Sequence, residues 1–279
     1  LATALLFVPI RCGSKQAMQV IGMRQSKGKN MNRYSLDGKI ALVTGGSNGI
    51  GAAAARALAD QGATIAVGFH SSQERATAVV ASLPGVGHIS LKLDIGDPAS
   101  VAQAVTEIEN QFGKLDILIN SAGATQPIAH KDLDTLDEAL FNQLLQLNAG
   151  GPFSVSRRFL PLMQSTGDAV VVNVSSISAF TGSGSNMAYC AAKAALDTMT
   201  MSFARAFGPE VRFLCVSPAA VATDFVAGRG RDALEKGAQA TPLKKVVEPE
   251  DVADAILACV THLRTATGTR IVVDGGRHL

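Results

Sequence analysis

Tyr189 and Lys193, four residues apart in "YCAAK", are the residues of this chain best suited to moving a proton. On a helix they are neighbours on one face. A phenol with its ordinary pKa of about 10 is a poor acid–base group at neutral pH. A lysine ammonium about 4 Å away contributes about 4 kcal/mol at an effective dielectric of 20, or roughly three pKa units. That is enough to let the tyrosine work near pH 7. Ser176, just beyond the apolar run "AVVVNVS", adds a hydroxyl able to hold a substrate oxygen. A lone Tyr/Lys pair is as readily a surface contact, so the order serine, tyrosine, lysine carries the weight.

The second chemical feature is the turn "TGGSNGIG", Thr44 to Gly51. Gly45, Gly49 and Gly51 give T-G-x-x-x-G-x-G, longer than the G-x-G-x-x-G fingerprint. The physics is shared: glycines let backbone approach a pyrophosphate, and the helix that starts near Ile50 offers free N–H groups and positive dipole. A glycine-rich turn can also be plain packing. Its place after the first strand of a βαβ unit favours a nucleotide.

These residues need a frame, and the chain supplies one by alternation. "KIALVT" (39–44), "TIAVGF" (64–69), "HISLKLD" (88–94), "ILINSA" (117–122), "AVVVNVS" (169–175), "VRFLCVS" (211–217) and "TRIVVD" (269–274) read as strands. Most are apolar on both faces, as in parallel strands covered by helices on each side. Helical patterns lie between them, near 50–61, 73–83, 98–112, 134–163, 188–207 and 249–261, several opened by caps such as Asp97-Pro98 and Glu248-Pro249. The expectation is an α/β fold, a doubly wound parallel seven-stranded sheet, as one domain over 36–279. The one long irregular segment, about 224–247, emerges where ligands sit, beyond the carboxyl ends of the strands.

Composition narrows the function classes. A formal charge of +2, no tryptophan and no basic run interleaved with aromatics argue against a nucleic-acid surface. Cys12, Cys190, Cys215 and Cys259 form no C-x-x-C and read as reduced thiols of a cytoplasmic protein. The five histidines show no ligand spacing, so no metal is expected. "LATALLFVPIRC" is apolar but too short to span a bilayer, and no membrane partner is expected. Residues 1–35 read as an extension outside the fold, with a start at Met31 one origin for it.

Across about residues 36–276 the sequence resembles the short-chain dehydrogenase/reductase family. "TGGSNGIG" matches its cofactor turn, and "NSAG" (120–123) its N-N-A-G motif with one substitution. Asn148 in "LQLNAGG", Ser176, Tyr189 and Lys193 align with its catalytic tetrad, and "DGG" (274–276) with its last strand end. The resemblance implies a Rossmann-type fold and a carbonyl–alcohol interconversion with hydride transfer to or from a nicotinamide. Tyr189 would exchange the proton, Ser176 would polarise the same oxygen, and Lys193 would lower the tyrosine pKa and bind the ribose. Asn148 would hold a water of a proton relay. The cofactor contacts it implies are Gly45, Ser47, Asn48, Gly49, Ile50 and Gly51, then Asp94 and Ile95, then Asn120, Ala122 and Gly123. Tyr189, Lys193, Pro218, Ala219, Val221 and Thr223 complete them. Asp94 reads equally as a turn cap, and Asn120 as a support of the central sheet.

The cofactor choice follows from the end of the second strand. NAD-specific relatives place an acid there; here the position is Phe69, and His70, Ser71 and Ser72 can donate to a 2′-phosphate. NADP(H) is therefore expected over NAD(H), although Asn48 stands where a basic residue would strengthen it. The substrate is expected to be a small carbonyl or alcohol, under a lid at 224–247 whose Arg229, Arg231, Lys244 and Lys245 either attract an acidic group or form a solvated face. Two alternatives stand beside this. One is 3-oxoacyl-acyl-carrier-protein reductase, weakened by the absence of Lys or Arg from "LMQSTGDA" (162–169), although Arg157, Arg158 and Arg205 could contribute; the other is a nucleotide sensor without catalysis. The resemblance also implies a homo-oligomer, a tetramer or dimer, formed by the helices that carry Asn148 and Tyr189.

Overall fold

Seven short runs of β-branched and aliphatic residues become seven strands in the computed structural model, which describes residues Tyr34–Leu279. In order they are β1 (Ile40–Thr44), β2 (Thr64–Phe69), β3 (Ile89–Lys92), β4 (Ile117–Asn120), β5 (Ala169–Val174), β6 (Val211–Pro218) and β7 (Thr269–Val273). All neighbours pair in parallel, in the order β3-β2-β1-β4-β5-β6-β7. This is the expected doubly wound sheet. The expectations placed on residues 1–33 lie outside the described residues.

Period-two alternation divides the core between the faces. Ala41, Val43, Ile65, Val67, Ile119 and Val172 pack on one side against α1 (Gly49–Asp60) and α9 (Pro249–Thr261). Ile40, Leu42, Ala66, Leu118 and Val171 pack on the other against α3 (Pro98–Phe112) and α5 (Gly151–Gln164). Burying such a side chain stabilises by about 1.5–3 kcal/mol, so two loaded faces fix the register. Helix α2 (Gln73–Ser82) follows β2 and is capped by Ser72, whose Oγ accepts from Arg75 N at 3.4 Å. Asp97 caps α3 through Ala99 N at 2.9 Å, as its sequence predicts.

Two stretches depart from expectation. The pattern at 134–163 is not one helix but α4 (Glu138–Leu145), a π-helical turn (Gln146–Gly150) and α5. The glycine pair ahead of Pro152 permits this: a Cβ on Gly151 would stand 2.8 Å from Ile95 Cδ1, so α5 approaches β3's exit more closely than any larger residue allows. The segment at 224–247 is not wholly irregular, because Arg231–Ala238 forms α8. Both its ends are tied, by a parallel bridge between Val221 and Val247. A four-residue helix α6 (Ser178–Thr181) precedes the long α7 (Met187–Phe207). No described helix is long and apolar enough to cross a membrane.

Candidate active site

The carboxyl ends of the strands converge on one cavity. This cavity of about 590 Å3 is lined by Gly45 and residues 47–50 after β1, His70 and Ser71 after β2, and Ala122 and Gly123 after β4. It continues along Ser176 after β5, Tyr189 and Lys193 on α7, and Pro218, Ala219, Val221 and Thr223 after β6. Six expected contacts do not line it: Gly51, Ser72, Asp94, Ile95, Asn120 and Asn148. Each has other work. Ser72 caps α2, and Ile95 is buried beneath Gly151. Asp94 caps its own turn, its Oδ1 accepting from Gly96 N at 2.9 Å, while Oδ2 lies 3.4 Å from His70 Nε2. Asn120 donates to Ser156 Oγ and Asn173 Oδ1, a buried network across the strand ends.

The glycine turn is shaped as a cradle. Gly45 has φ +64 and Gly49 φ +50. A Cβ on Gly45 would meet Ala122 Cα at 2.9 Å, and one on Gly51 would meet the Gly45 carbonyl oxygen at 2.3 Å. Asn48 caps α1 by accepting from Gly49 N at 2.7 Å, and the first intrahelical bond runs from Ala52 N to Asn48 O. The N–H groups of Ile50 and Gly51 precede that bond, the arrangement that holds phosphate at a helix start. Thr44 Oγ1 accepts from both Ser121 N and Ala122 N at 3.1 Å, tying the turn to the exit of β4. The residues present therefore fit a dinucleotide pyrophosphate.

At the end of β2 the cavity keeps His70 and Ser71 of the expected contacts, while Ser72 goes to the cap of α2. Phe69 is buried in the core, so the side chains that face the cavity there are His70 and Ser71. Lys92, opposite Phe69 on β3, donates to the His70 carbonyl and places a cation beside this corner. Sequence reasoning passed over Lys92 because only strand register brings it here.

Tyr189 sits in the first turn of α7 and is buried. Asn186 fixes it there: its Oδ1 accepts from Tyr189 N at 2.8 Å, and its Nδ2 donates to Gln126 O and Thr125 Oγ1. The N-cap three residues ahead of the tyrosine was the available signal. Ser176 stands near enough to the phenol to draw its pKa down, and its Oγ donates to Ser178 Oγ and accepts from Ser178 N, both at 3.1 Å. Asn148 lies fully buried in the π-helical turn. It donates to Ala124 O at 2.8 Å and Leu144 O at 2.9 Å, and accepts from Ala124 N at 3.3 Å. With both amide hydrogens committed, its side chain positions the loop after β4.

The expected depression of the tyrosine pKa is not what this site shows. Burial pushes the phenol up, and the groups that draw it back are Ser176, by hydrogen bond, and Arg229, by charge. Lys193 is turned elsewhere, its Nζ donating to Val174 O at 2.8 Å and lying 5.5 Å from the ring centroid. Burial in turn lowers Lys193 to about 8, against the raising influence of Cys215 and Asp197. Desolvation sets the direction of both shifts.

That lysine carries a pH prediction. From about pH 8 to 10.5 the unfolded chain holds a proton that folded Lys193 has released. Stability contributed by this group therefore rises with pH across the window. Melting temperatures of the cofactor-free parent should climb relative to Lys193→Met between pH 8 and 10. A difference independent of pH would contradict the burial of the ammonium.

Comparison with known proteins agrees with this geometry. The family model for "Enoyl-(Acyl carrier protein) reductase" matches residues 45–278. The chain is 34% identical over 242 residues to cis-4-hydroxycyclohexanecarboxylate dehydrogenase of Sinomonas cyclohexanicum, covering 85% of this chain and 96% of that one. It is 33% identical over 246 residues to a 3-oxoacyl-acyl-carrier-protein reductase of Aquifex aeolicus, covering 86% and 98%. A short-chain dehydrogenase from Burkholderia cenocepacia, solved in complex with NADP, superposes with a TM-score of 0.79 at 33% identity, over 88% of this chain and 99% of its own.

Proposed function

The chain belongs to the short-chain dehydrogenase/reductase family of oxidoreductases, and from that premise we propose that it interconverts a carbonyl and a secondary alcohol with NADP(H). One observation carries the reading: a buried tyrosine and Ser176 line the same cavity as a glycine cradle at a helix start. The nicotinamide, when bound, supplies or accepts the hydride.

The residues of the chain do the rest. Tyr189 keeps its proton at neutral pH because its surroundings disfavour the phenolate, which suits it to donate toward a carbonyl oxygen. Ser176 offers a hydrogen bond to the same oxygen and polarises it. Lys193, with its Nζ already facing the cavity wall at Val174 O, would hold the ribose. Gly45, Gly49 and Ile50 would hold the pyrophosphate through backbone N–H groups and close approach, with Gly51 packed against the Gly45 carbonyl behind them. Residues 224–247 would act as a lid, with Phe225 5.9 Å from the Tyr189 ring, centroid to centroid.

NADP is favoured over NAD because the cavity corner after β2 is faced by His70 and Ser71, with Lys92 at hand and no carboxylate on β2's exit. Asp94 beside His70 opposes this, and the Lys92 ammonium at the His70 carbonyl offsets its charge. Catalytic efficiency should be at least about tenfold higher with NADPH than with NADH. His70→Asp should reverse the order by repelling the 2′-phosphate. Equal use of both cofactors by the parent would overturn the assignment.

Similarity to the Aquifex enzyme favours a second reading, an acyl-carrier-linked 3-oxoacyl substrate. The stretch 162–169 lacks the cations that would dock an acidic carrier, so a free small molecule is the better fit. A non-catalytic sensor would have no use for the Tyr189–Ser176 pair. The proposal extends to cytoplasmic residence, on the buried free thiols Cys190, Cys215 and Cys259. It also extends to a homo-oligomer through α5 and α7, which expose Phe153 and Met201.

A further inference from the structure

Four of the lid's basic residues looked interchangeable in sequence, and the structure separates them. Arg231 is spent on Glu235 and Glu248, at 3.0 and 2.7 Å. Lys244 does not line the cavity, whereas Arg229 and Lys245 do. A third cation joins them from the far end of the chain, Arg277. None of these three takes part in an ion pair among the described residues.

The position of Arg277 is built. Asp274 organises the C-terminal turn, accepting from Gly276 N at 2.8 Å and from His278 N and Nδ1 at 2.9 and 2.7 Å. Gly275 and Gly276 have φ +64 and +84, and a Cβ on Gly276 would strike Pro242 Cγ at 2.7 Å. The turn therefore packs against the lid, and Arg277 Nη1 donates to the Gly237 carbonyl near the end of α8 at 3.3 Å. Arg229 precedes the start of the same helix, half-buried, close enough to feel both the Arg277 charge and the Tyr189 phenol. Two guanidinium groups brought together without a carboxylate between them repel each other, and an anion relieves that.

We propose that the substrate carries a carboxylate in addition to its carbonyl or hydroxyl, and that Arg229, seconded by Arg277 and Lys245, receives it. The inference rests on the carbonyl–alcohol reading of the Tyr189 site and specifies its substrate class. With Lys193 engaged at Val174 O and Asp274 at Gly276 and His278, the lid side of the cavity presents Arg229, Lys245 and Arg277 against Asp224. Arg229 alone of the three is half-buried, so one planar anion at its fork is the match. The planar fork of Arg229 would place the carboxylate at one end of the molecule while its carbonyl lies at Tyr189.

The test uses the full chain with NADPH and two probes, 4-oxocyclohexanecarboxylate and its methyl ester. The parent should turn over the acid with at least about 30-fold higher kcat/KM, mostly through KM, and Arg229→Gln should lose about 100-fold on the acid alone. Lys244→Gln should change neither. No preference for the acid, or an equal loss on both probes, would overturn the proposal. Absence of turnover with either probe would count against the carbonyl reading, and a binding measurement then decides the carboxylate separately. In the presence of NADP, cyclohexanecarboxylate should raise the melting temperature of the parent and of Tyr189→Phe, but not of Arg229→Gln. No shift, an equal shift from cyclohexanecarboxamide, or a larger shift from cyclohexyl phosphate would refute it.

Discussion

Tyr189→Phe should lower turnover about a thousand-fold while leaving NADP binding intact. A positioned general acid is worth roughly 10² to 10⁴ in rate, and the phenol is the cavity's proton-bearing group beside Ser176. Phenylalanine keeps the ring, so the contact with Phe225 and the packing of the first turn of α7 are preserved. Thermal protection by NADP should therefore match the parent, which separates lost chemistry from lost structure. The direction of the tyrosine's shift adds a pH signature. Carbonyl reduction should vary little through neutral pH, because burial keeps the phenol protonated. Alcohol oxidation needs the phenolate as base, whose fraction rises about tenfold per pH unit below its pKa. Full turnover by the variant would remove Tyr189 from the reaction.

The second large effect is expected at Gly51. A Cβ there would stand 2.3 Å from the Gly45 carbonyl oxygen and 2.8 Å from its carbon, both backbone atoms that cannot turn aside. Gly51→Ala must therefore separate α1 from the turn that precedes it. Overpacking of this kind costs about 3 kcal/mol, or a fall of at least about 6 °C in melting temperature for a domain of this size. The larger consequence is for binding, since the cradle and the N–H groups that would meet the pyrophosphate move together. The parent at a hundredfold excess of NADP over Kd should gain about 2.7 kcal/mol. The variant should gain almost none. A variant as stable as the parent and fully protected by NADP would show that the turn holds no phosphate.

Much of this site is legible in the sequence because it is written in short spacings. Tyr189 and Lys193 are one helical turn apart, and the cradle glycines lie within a single turn. The strands were equally plain, since burial on both faces leaves unbroken apolar runs. What could not be read depends on register and on contacts across the fold. Ser72, expected at the cofactor beside His70 and Ser71, is taken by the cap of α2. Lys92 reaches that corner only through pairing of β3 with β2. Arg277 reaches the lid only because of a glycine turn at the end of β7.

The pKa of Tyr189 was the instructive disagreement. Spacing alone put an ammonium beside a phenol and so predicted a lowered pKa. The structure buries both and directs the ammonium to a carbonyl, and desolvation then decides the sign. Long patterns misled in a similar way: the 134–163 run is helical throughout in periodicity, yet it contains the π-helical turn that seats Asn148.

The central claim, carbonyl–alcohol chemistry with NADP(H) at Tyr189, is tested most directly by an isotope. The chain should be incubated with NADPH deuterated at nicotinamide C4 on each face in turn, together with 4-oxocyclohexanecarboxylate and a panel of neutral ketones. The account predicts that one of the two labels appears at the carbinol carbon of the product alcohol, and that Tyr189→Phe abolishes its appearance. A protein that binds NADPH yet transfers deuterium to no carbonyl would contradict it.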